Sequence, residues 1–502
     1  MANGGIIGTV NNPTSSTATG VWQQEEQYEA VRDGTWPLRP LFTTKSLRFN
    51  RGSSDSLNKT FGTPTNSKKL TISFWTKLIA ESGNDHHAFS NGTSNADESL
   101  ISFINSGSHN LEIKEDVSSS ATYQFVTNRI FRDPLAFYHI VIAWDTTQST
   151  ESNRLKLYIN GVQETSLATA NYPNINQDIK FNTAIAQYIG KRNRNEGAFY
   201  NGYMAEVIFI DGTQLTPTSF GEFNSDSGIW IPKTITGLTF GNNGFYQKYT
   251  NASALGEDFS GEDNDFAVTN ITTLDQTSDS PSNNFSTLNP LASLPNTGTS
   301  TFTEGNLTSS GATGSYVNGG STLMMPSGKW YCEMKYISTS NSNRLIVGIT
   351  QDVAEISRIN QDSGALNTFY VSGNGNKNIQ GTDSSYGSSF DVGDIVGIAL
   401  DLDNNKLYFS KNGTFQNSGD PTSGSTGTGA ITGFVVPSAT LNGGYFFFSG
   451  SNSNAQYNNV SFNFGNPSFA ISSSNADSSG FGNFEYAVPT GYLSLCTNNL
   501  NL

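Results

Sequence analysis

The chain has 502 residues, 35% of them hydrophobic and only 14% charged, and a formal charge of −15 from 42 acidic and 27 basic side chains. That length allows two or three domains with sandwich-sized cores rather than one large helical core. The negative balance excludes sequence-independent binding to nucleic acid, which runs on clustered Lys and Arg, and no stretch approaches the roughly 18 apolar residues that signal membrane insertion.

Residues 1–40 differ from everything after them. A Gly-, Asn- and Thr-rich lead precedes Gly20–Arg32, whose Gln/Glu/Ala run predicts a short helix with Thr19 near its cap and Gly34 as its stop. Trp22, Tyr28, Val31 and Trp36 give this arm large apolar groups that need a surface to cover, either this chain's own or another protein's. Ile6-Ile7 has no basic region before it and no long apolar run around it, so no secretory signal is expected.

Strands and turns alternate over residues 41–233. The run Leu70–Leu78 has period two, with Leu70, Ile72, Phe74 and Leu78 on one face. Further strands are predicted over 99–105, 110–115, 122–128, 137–144, 154–160, 186–191 and 203–210. Such spacing predicts a two-sheet sandwich. Residues 234–300 are loop-rich, yet Phe240, Phe245, Tyr246, Tyr249, Phe259, Phe266 and Phe285 are too frequent for a free linker, which predicts a structured connector packed along both domains.

A second strand series occupies residues 301–502. It opens at Lys329–Ile337, where Trp330, Cys332, Met334 and Tyr336 share a face, and continues over 344–350, 366–372, 394–402, 405–410, 434–441, 444–449 and 459–464. Each series carries an Asn-Gly hairpin written in nearly the same letters, Lys156-Leu157-Tyr158-Ile159-Asn160-Gly161 and Lys406-Leu407-Tyr408-Phe409-Ser410-Lys411-Asn412-Gly413. Asn-Gly between alternating residues is a strong hairpin signal, because both central positions of the favoured turn need positive φ. The predicted fold class is therefore all-β: two tandem antiparallel β-sandwiches with an extended N-terminal arm.

Chemistry-bearing motifs are few. The pattern Glu-x-Asp-x-x-Glu, which would pair carboxylates for glycoside hydrolysis, does not occur, nor does a Gly-x-Ser-x-Gly elbow or a Walker loop. His86, His87, His109 and His139 lack zinc-ligand spacing, and Cys332 and Cys496 form no Cys-x-x-Cys pair and are expected as reduced thiols, with a single disulfide between them as the alternative. The sequence thus points away from an enzyme. Calcium is the one ion with hard oxygen donors on offer, at Asp258, Asp263 and Asp265 or at Asp401 and Asp403. Candidate glycan-binding residues, aromatic faces for sugar rings beside hydrogen-bonding groups, are Tyr172, Arg192, Arg194 and Tyr200 in the first domain and Arg358, Tyr370, Tyr386 and Phe390 in the second. Trp75, Trp144 and Trp330 are expected in cores.

Residues 45–233 resemble the concanavalin A-like, laminin G-like lectin fold, through Ser46–Phe49, Leu70–Trp75, Phe137–Val141, Leu157–Gly161 and Asn201–Gly212. The later series resembles a SPRY domain, through Gly328–Glu333, Val347–Ile349, Gly393–Asp401, Lys411–Gly413 and Val460–Gly465. With its arm, connector and ending Pro489–Thr497, the whole string is similar to tailed-bacteriophage virion proteins. That resemblance implies synthesis in the host cytoplasm and residence in the virion, as a tail fibre or receptor-binding appendage that meets host surface glycans and other virion proteins. Capsid decoration is the alternative role, and a polysaccharide depolymerase a more distant one. A fibre would be a homo-oligomer, most often a trimer, although no heptads argue a coiled coil.

Overall fold

The computed structural model describes residue 30 and residues 42–79, 83–94, 96–105, 109–193, 198–225, 227–292, 300–311, 317–339, 345–352, 367–451 and 458–500. Leu41–Ser282 forms one compact unit and Asn283–Leu502 the body of a second. Both are built almost wholly from antiparallel strands, giving the expected tandem of sandwiches.

In the 41–282 unit one eight-stranded sheet has the spatial order Val162–Gln163, Leu155–Ile159, Tyr138–Asp145, Lys69–Leu78, Gly202–Asp211, Ser46–Phe49, Gln276–Thr277, with Phe245–Gln247 also paired to Gly202–Asp211. The other runs Leu167–Asn171, Ser120–Ile130, Asn110–Val117, Asp97–Ile104, His86–Ser94, Ala186–Ile189, Ser56–Thr60, Ala267–Thr269. Period-two alternation sends Leu70, Ile72, Phe74 and Leu78 into the core between them, where they meet Ile101, Ile113, Phe125 and Ile189 of the facing sheet. The stretch read as a connector divides: strands at 245–247, 267–269 and 276–277 extend the sheets of this unit, whereas residues from 283 onward belong to the next.

The 283–502 unit repeats the plan. Ser300–Thr303, Thr308–Gly311, Asn458–Asn463, Lys329–Thr339, Ile395–Asp401, Lys406–Lys411 and Thr414–Phe415 make one sheet, and Leu493–Ser494 joins it parallel to Lys329–Thr339. Val317–Gly320, Phe446–Ser451, Leu345–Thr350, Asn367–Val371, Asn376–Ile379 and Thr382–Ser385 make the other. Trp330, Cys332, Met334 and Tyr336 all enter its core. The strand predicted over 434–441 is instead a loop with a single 3-10 turn at Pro437–Ala439, because Pro437 has no N–H to give a ladder. Cys332 and Cys496 are both free and buried.

The two Asn-Gly hairpins are alike well beyond their turns. Both central residues have positive φ, 48° and 80° at Asn160-Gly161 and 47° and 80° at Asn412-Gly413. Each Asn side chain accepts a backbone N–H at the start of the neighbouring strand, His139 at 2.7 Å and Ile395 at 2.9 Å. Across the same three strands, Lys69 pairs with Asp145 at 3.2 Å and Lys329 with Asp401 at 3.1 Å. On each turn glycine an aromatic ring is seated so closely that a Cβ there would lie within 2.3 Å of Trp230 or 2.5 Å of Tyr486.

Those two aromatics belong to segments that cover the outer face of each unit's Lys-bearing sheet. In the first unit Trp75 is buried, as expected, but on this outer face rather than in the central core, together with Ala205 and Trp230. His139 stacks between Trp75 and Trp230 at 4.6 and 5.9 Å. Trp230 Nε1–H donates to His139 Nδ1 at 3.0 Å, so His139 is left to donate from Nε2 to Ser73 Oγ at 2.9 Å. In the second unit Glu333 takes the backbone N–H groups of Glu485 and Tyr486 at 3.0 and 2.8 Å under a lid of Tyr331, Phe484 and Tyr492.

Burial drives these groups toward neutrality, with opposite consequences for pH. Desolvation lowers His139 to about 3, and desolvation helped by Arg192 lowers His87 to about 4. Both lie below the ordinary value, so their contribution to stability is complete above about pH 6.5 and is lost as the pH falls toward 4 and 3. Desolvation raises Glu333 to about 7 against the pull of its hydrogen-bond donors, and Glu206 to about 7. Their contribution is complete below about pH 4.5 and is lost as the pH rises through 7. Denaturant unfolding of the full chain between pH 4.5 and 8 should therefore give a steeper rise of stability with pH for Glu333→Gln than for the wild type; parallel curves would refute the assignment.

Candidate functional site

In the 41–282 unit the segment that seals the first sheet does not reach the second, whose outer face is polar. Taken in register, Asn171, Gln124, Lys114, Leu100, Ser90, Tyr188 and Asn58 form one row across seven of its eight strands. All point away from the core, since the neighbouring positions Phe125, Ile113, Ile101, Phe89, Ile189 and Leu57 are core residues. Flanking rows hold Glu98 paired to Asp116, and His87, Ser102, Glu112 and Val126.

The loop after Ala186–Ile189 closes one side of this face. Ser90 Oγ donates to the Lys191 carbonyl at 2.7 Å, and Asn193 Nδ2 to the Asn91 carbonyl at 3.0 Å. Gly92, at φ +131°, lets Asn193 approach, because a Cβ would stand 2.7 Å from its amide. From this loop Arg192 reaches the fully buried Glu98 through Nε at 3.0 Å and through Nη2, a two-pronged pairing that holds the guanidinium in its charged form. Lys191 lies 4.9 Å over the ring of half-buried Tyr188.

Every carboxylate on the face has a partner: Glu98 has Arg192, Asp116 has Lys114 at 2.9 Å, and Glu112 accepts from Gln124 Nε2 at 2.7 Å. Leu100 and Ser90 are buried beneath this face, and what remains accessible is the half-buried ring of Tyr188 beside the half-buried Lys114, Gln124 and Asn58. That arrangement suits a neutral, hydroxyl-rich ligand.

The predicted glycan residues separate sharply. Arg192 is on this face. Tyr172 lies at the end of an edge strand, half-buried and edge-on to Phe125 at 5.0 Å. Tyr200, Tyr370, Tyr386 and Phe390 are corrected to core residues: Tyr200 hydrogen-bonds Thr76 inside the first sandwich, and the other three pack around Phe409 and one another with centroids 5.1 to 6.1 Å apart. Their ring faces are occupied by other rings, because 367–371 is a sheet strand rather than a variable loop. Arg194, Arg358, Trp22, Tyr28, Val31 and Trp36 lie outside the described residues.

Asp258, Asp263 and Asp265, the calcium candidates, are not drawn together into one cluster. Among the described residues no group of three or more His, Cys, Asp or Glu is arranged to hold a metal. Asp258 instead staples its own loop, accepting from the backbone N–H of Tyr246, Ser260 and Asn264 at 2.7 to 2.9 Å, while Asp265 accepts from Asp258 N–H at 2.8 Å. Asp401 is held by Lys329 and Asn404, and Asp403 accepts from Gly328 N–H at 2.9 Å. A cleft of about 490 Å³ lies beside Asp265, between the 251–257 loop and the 265–273 stretch. No described helix is long and apolar enough to cross a membrane.

Sequence reasoning missed Glu112, Lys114, Gln124, Tyr188 and Lys191. The signal was available in part, since the polar positions alternate with core residues inside strands that were predicted. What alternation omits is register, which alone brings the outward positions of seven strands into one row.

Residues 51–218 match the family model described as concanavalin A-like lectin/glucanases superfamily, and residues 329–449 match that of the SPRY domain. The chain carries a concanavalin A-like domain followed by a SPRY domain. The polar face belongs to the concanavalin A-like domain, whereas Trp230, Asp279, Phe484 and Tyr486 lie beyond the matched stretches. No curated protein matches the chain. Among solved structures it is similar to the SPRY domain of human HERC1, at 16% identity and a TM-score of 0.24, over 31% of this chain and 87% of that one. It is also similar to a heptameric SAP-like pentraxin from Limulus polyphemus, at 17% identity and a TM-score of 0.26, over 35% of this chain and 79% of that one. A candidate carbohydrate binding protein from Bacteroides ovatus matches at 14% identity and a TM-score of 0.29, over 47% of this chain and 60% of that one.

The Arg192–Glu98 pair is the part of this face whose loss is costly. Arg192→Ala leaves a fully buried carboxylate without its cation, and should destabilise the domain by about 2–4 kcal/mol in denaturant unfolding. Arg192→Lys should recover only part of that, because a point charge cannot reproduce the two-pronged contact; an unchanged midpoint for Arg192→Ala would contradict this account.

Proposed function

We propose that this chain is a non-catalytic carbohydrate-binding protein of a bacteriophage particle, a tail fibre or similar receptor-binding appendage. The observation that carries the binding half is the outer face of the second sheet in the concanavalin A-like domain, where Tyr188, Leu100, Lys114 and Gln124 stand in one cross-strand row while every carboxylate beside them is paired. Tyr188 offers a ring face to a pyranose, and Lys114, Lys191 and Gln124 donate to its hydroxyls. The virion half is supported by the sequence resemblance of the arm, connector and C-terminal stretch alone.

A glycan array followed by calorimetry on the best hit tests the first half. Tyr188→Ala should weaken binding about tenfold, the 1.4 kcal/mol expected of one ring contact, and Lys114→Ala should also weaken it. Equal affinity in wild type and both variants would move the site elsewhere, and release of reducing sugar would make the protein a depolymerase.

Deletion of residues 1–36 tests the second half. The shortened chain should fold yet fail to join particles when supplied in place of the full chain; normal incorporation would reject the arm as the anchor. Labelling of the full chain on intact particles should mark the tail, whereas signal over the whole head would replace the appendage reading with capsid decoration.

A further inference from the structure

Lys77 and Asp279 are 202 positions apart in sequence and touch in a pocket that neither the core nor the candidate glycan face uses. Their side chains are 1% and 0% exposed, and Lys77 Nζ lies 2.5 Å from Asp279 Oδ2. The amine is boxed by two aromatic rings, with centroids 5.0 Å away at Phe137 and 4.7 Å away at Tyr203. Both backbones are pinned. Lys77 sits inside the Lys69–Leu78 strand opposite Tyr203, and Asp279 donates its N–H to Thr277 Oγ1 at 3.1 Å while its carbonyl accepts from Ser46 Oγ at 2.5 Å.

Two opposite charges taken this far from water each carry a heavy desolvation cost. Burial lowers the Lys77 pKa, and the charges of Asp279 and Asp133 only partly oppose it. Transfer of one proton from the ammonium to the carboxylate removes both charges and leaves a neutral amine against a neutral acid. Those are the two partners of amide formation, held in contact at high effective concentration with water excluded.

We propose that Lys77 and Asp279 become joined by an intramolecular isopeptide bond. The Nζ lone pair adds to Asp279 Cγ, a C–N bond forms, the Cγ–Oδ2 bond breaks, and Oδ2 departs as water carrying its own proton and one from Nζ. Nothing is oxidised or reduced and no co-reactant is consumed. The bond ties the central strand of the first sheet to the segment that follows Gln276–Thr277, so the last strand of this sheet cannot peel away.

The intact mass of the purified full chain, measured under denaturing conditions, is the test. The wild type should be lighter by one water than its sequence requires, relative to Lys77→Arg corrected for the substitution, and proteolysis should yield a branched species containing both Lys77 and Asp279. Asp279→Ala should likewise show no loss of water. Full mass in the wild type, with the two peptides recovered separately, would overturn the proposal; so would a water loss that persists in Lys77→Arg. The wild-type mass and its branched peptide stand on their own, so the bond is detected or excluded even where a variant misfolds.

Discussion

Both units are organised by the burial of one long strand on its two faces. Lys69–Leu78 and Lys329–Thr339 each lie at the middle of a sheet, send one alternate set of side chains into the sandwich core, and have the other set covered by chain from outside the sandwich. A strand buried on both faces cannot place polar side chains without giving them partners, because an unpaired buried group costs about 1–3 kcal/mol and a charge more. The consequences are visible along these strands: Ser73 meets His139, Lys77 meets Asp279, and Glu333 collects backbone donors from the covering segment.

The same constraint explains why the Asn-Gly turns resemble each other so closely. The turn glycine is required twice, by its positive φ and by the aromatic ring that the covering segment lays against it, Trp230 on Gly161 and Tyr486 on Gly413. A side chain at either glycine would lift the cover from the strand beneath. The matching Lys–Asp pairs and Asn caps fix the hairpin's geometry, so two domains of different families arrive at one local solution. Covering one sheet also decides which sheet face stays uncovered. In the concanavalin A-like domain it is the opposite sheet, with its paired carboxylates and its ring at Tyr188.

Alternation, turn chemistry and the order of motifs were enough to read two sandwiches, the strand Leu70–Leu78 with its inward face, and the inward set Trp330, Cys332, Met334 and Tyr336. These are local properties, since a side chain's face follows from its parity within one strand. Four of the glycan candidates, Tyr200, Tyr370, Tyr386 and Phe390, lie in cores, where locality ends. Tyr370, Tyr386 and Phe390 have the composition of a binding loop, yet they lie in and beside a strand whose ring faces are filled by Phe409 and one another. Asp258 has the chemistry of a calcium ligand, but its oxygens are spent on three backbone amides of its own loop.

The sequence by itself determined the all-β class and the positive-φ turns, because each is written in neighbouring residues whose steric and hydrophobic preferences need no distant partner; the two domain types were legible only through the resemblance of ordered motifs. Only the tertiary structure decided register, cover and contact across the chain. The row from Asn171 to Asn58 exists because seven strands align, and Lys77 faces Asp279 because a segment 202 positions later is laid over it. Strand register and long-range closure depend on how whole sheets pack, a property that no single stretch of residues contains.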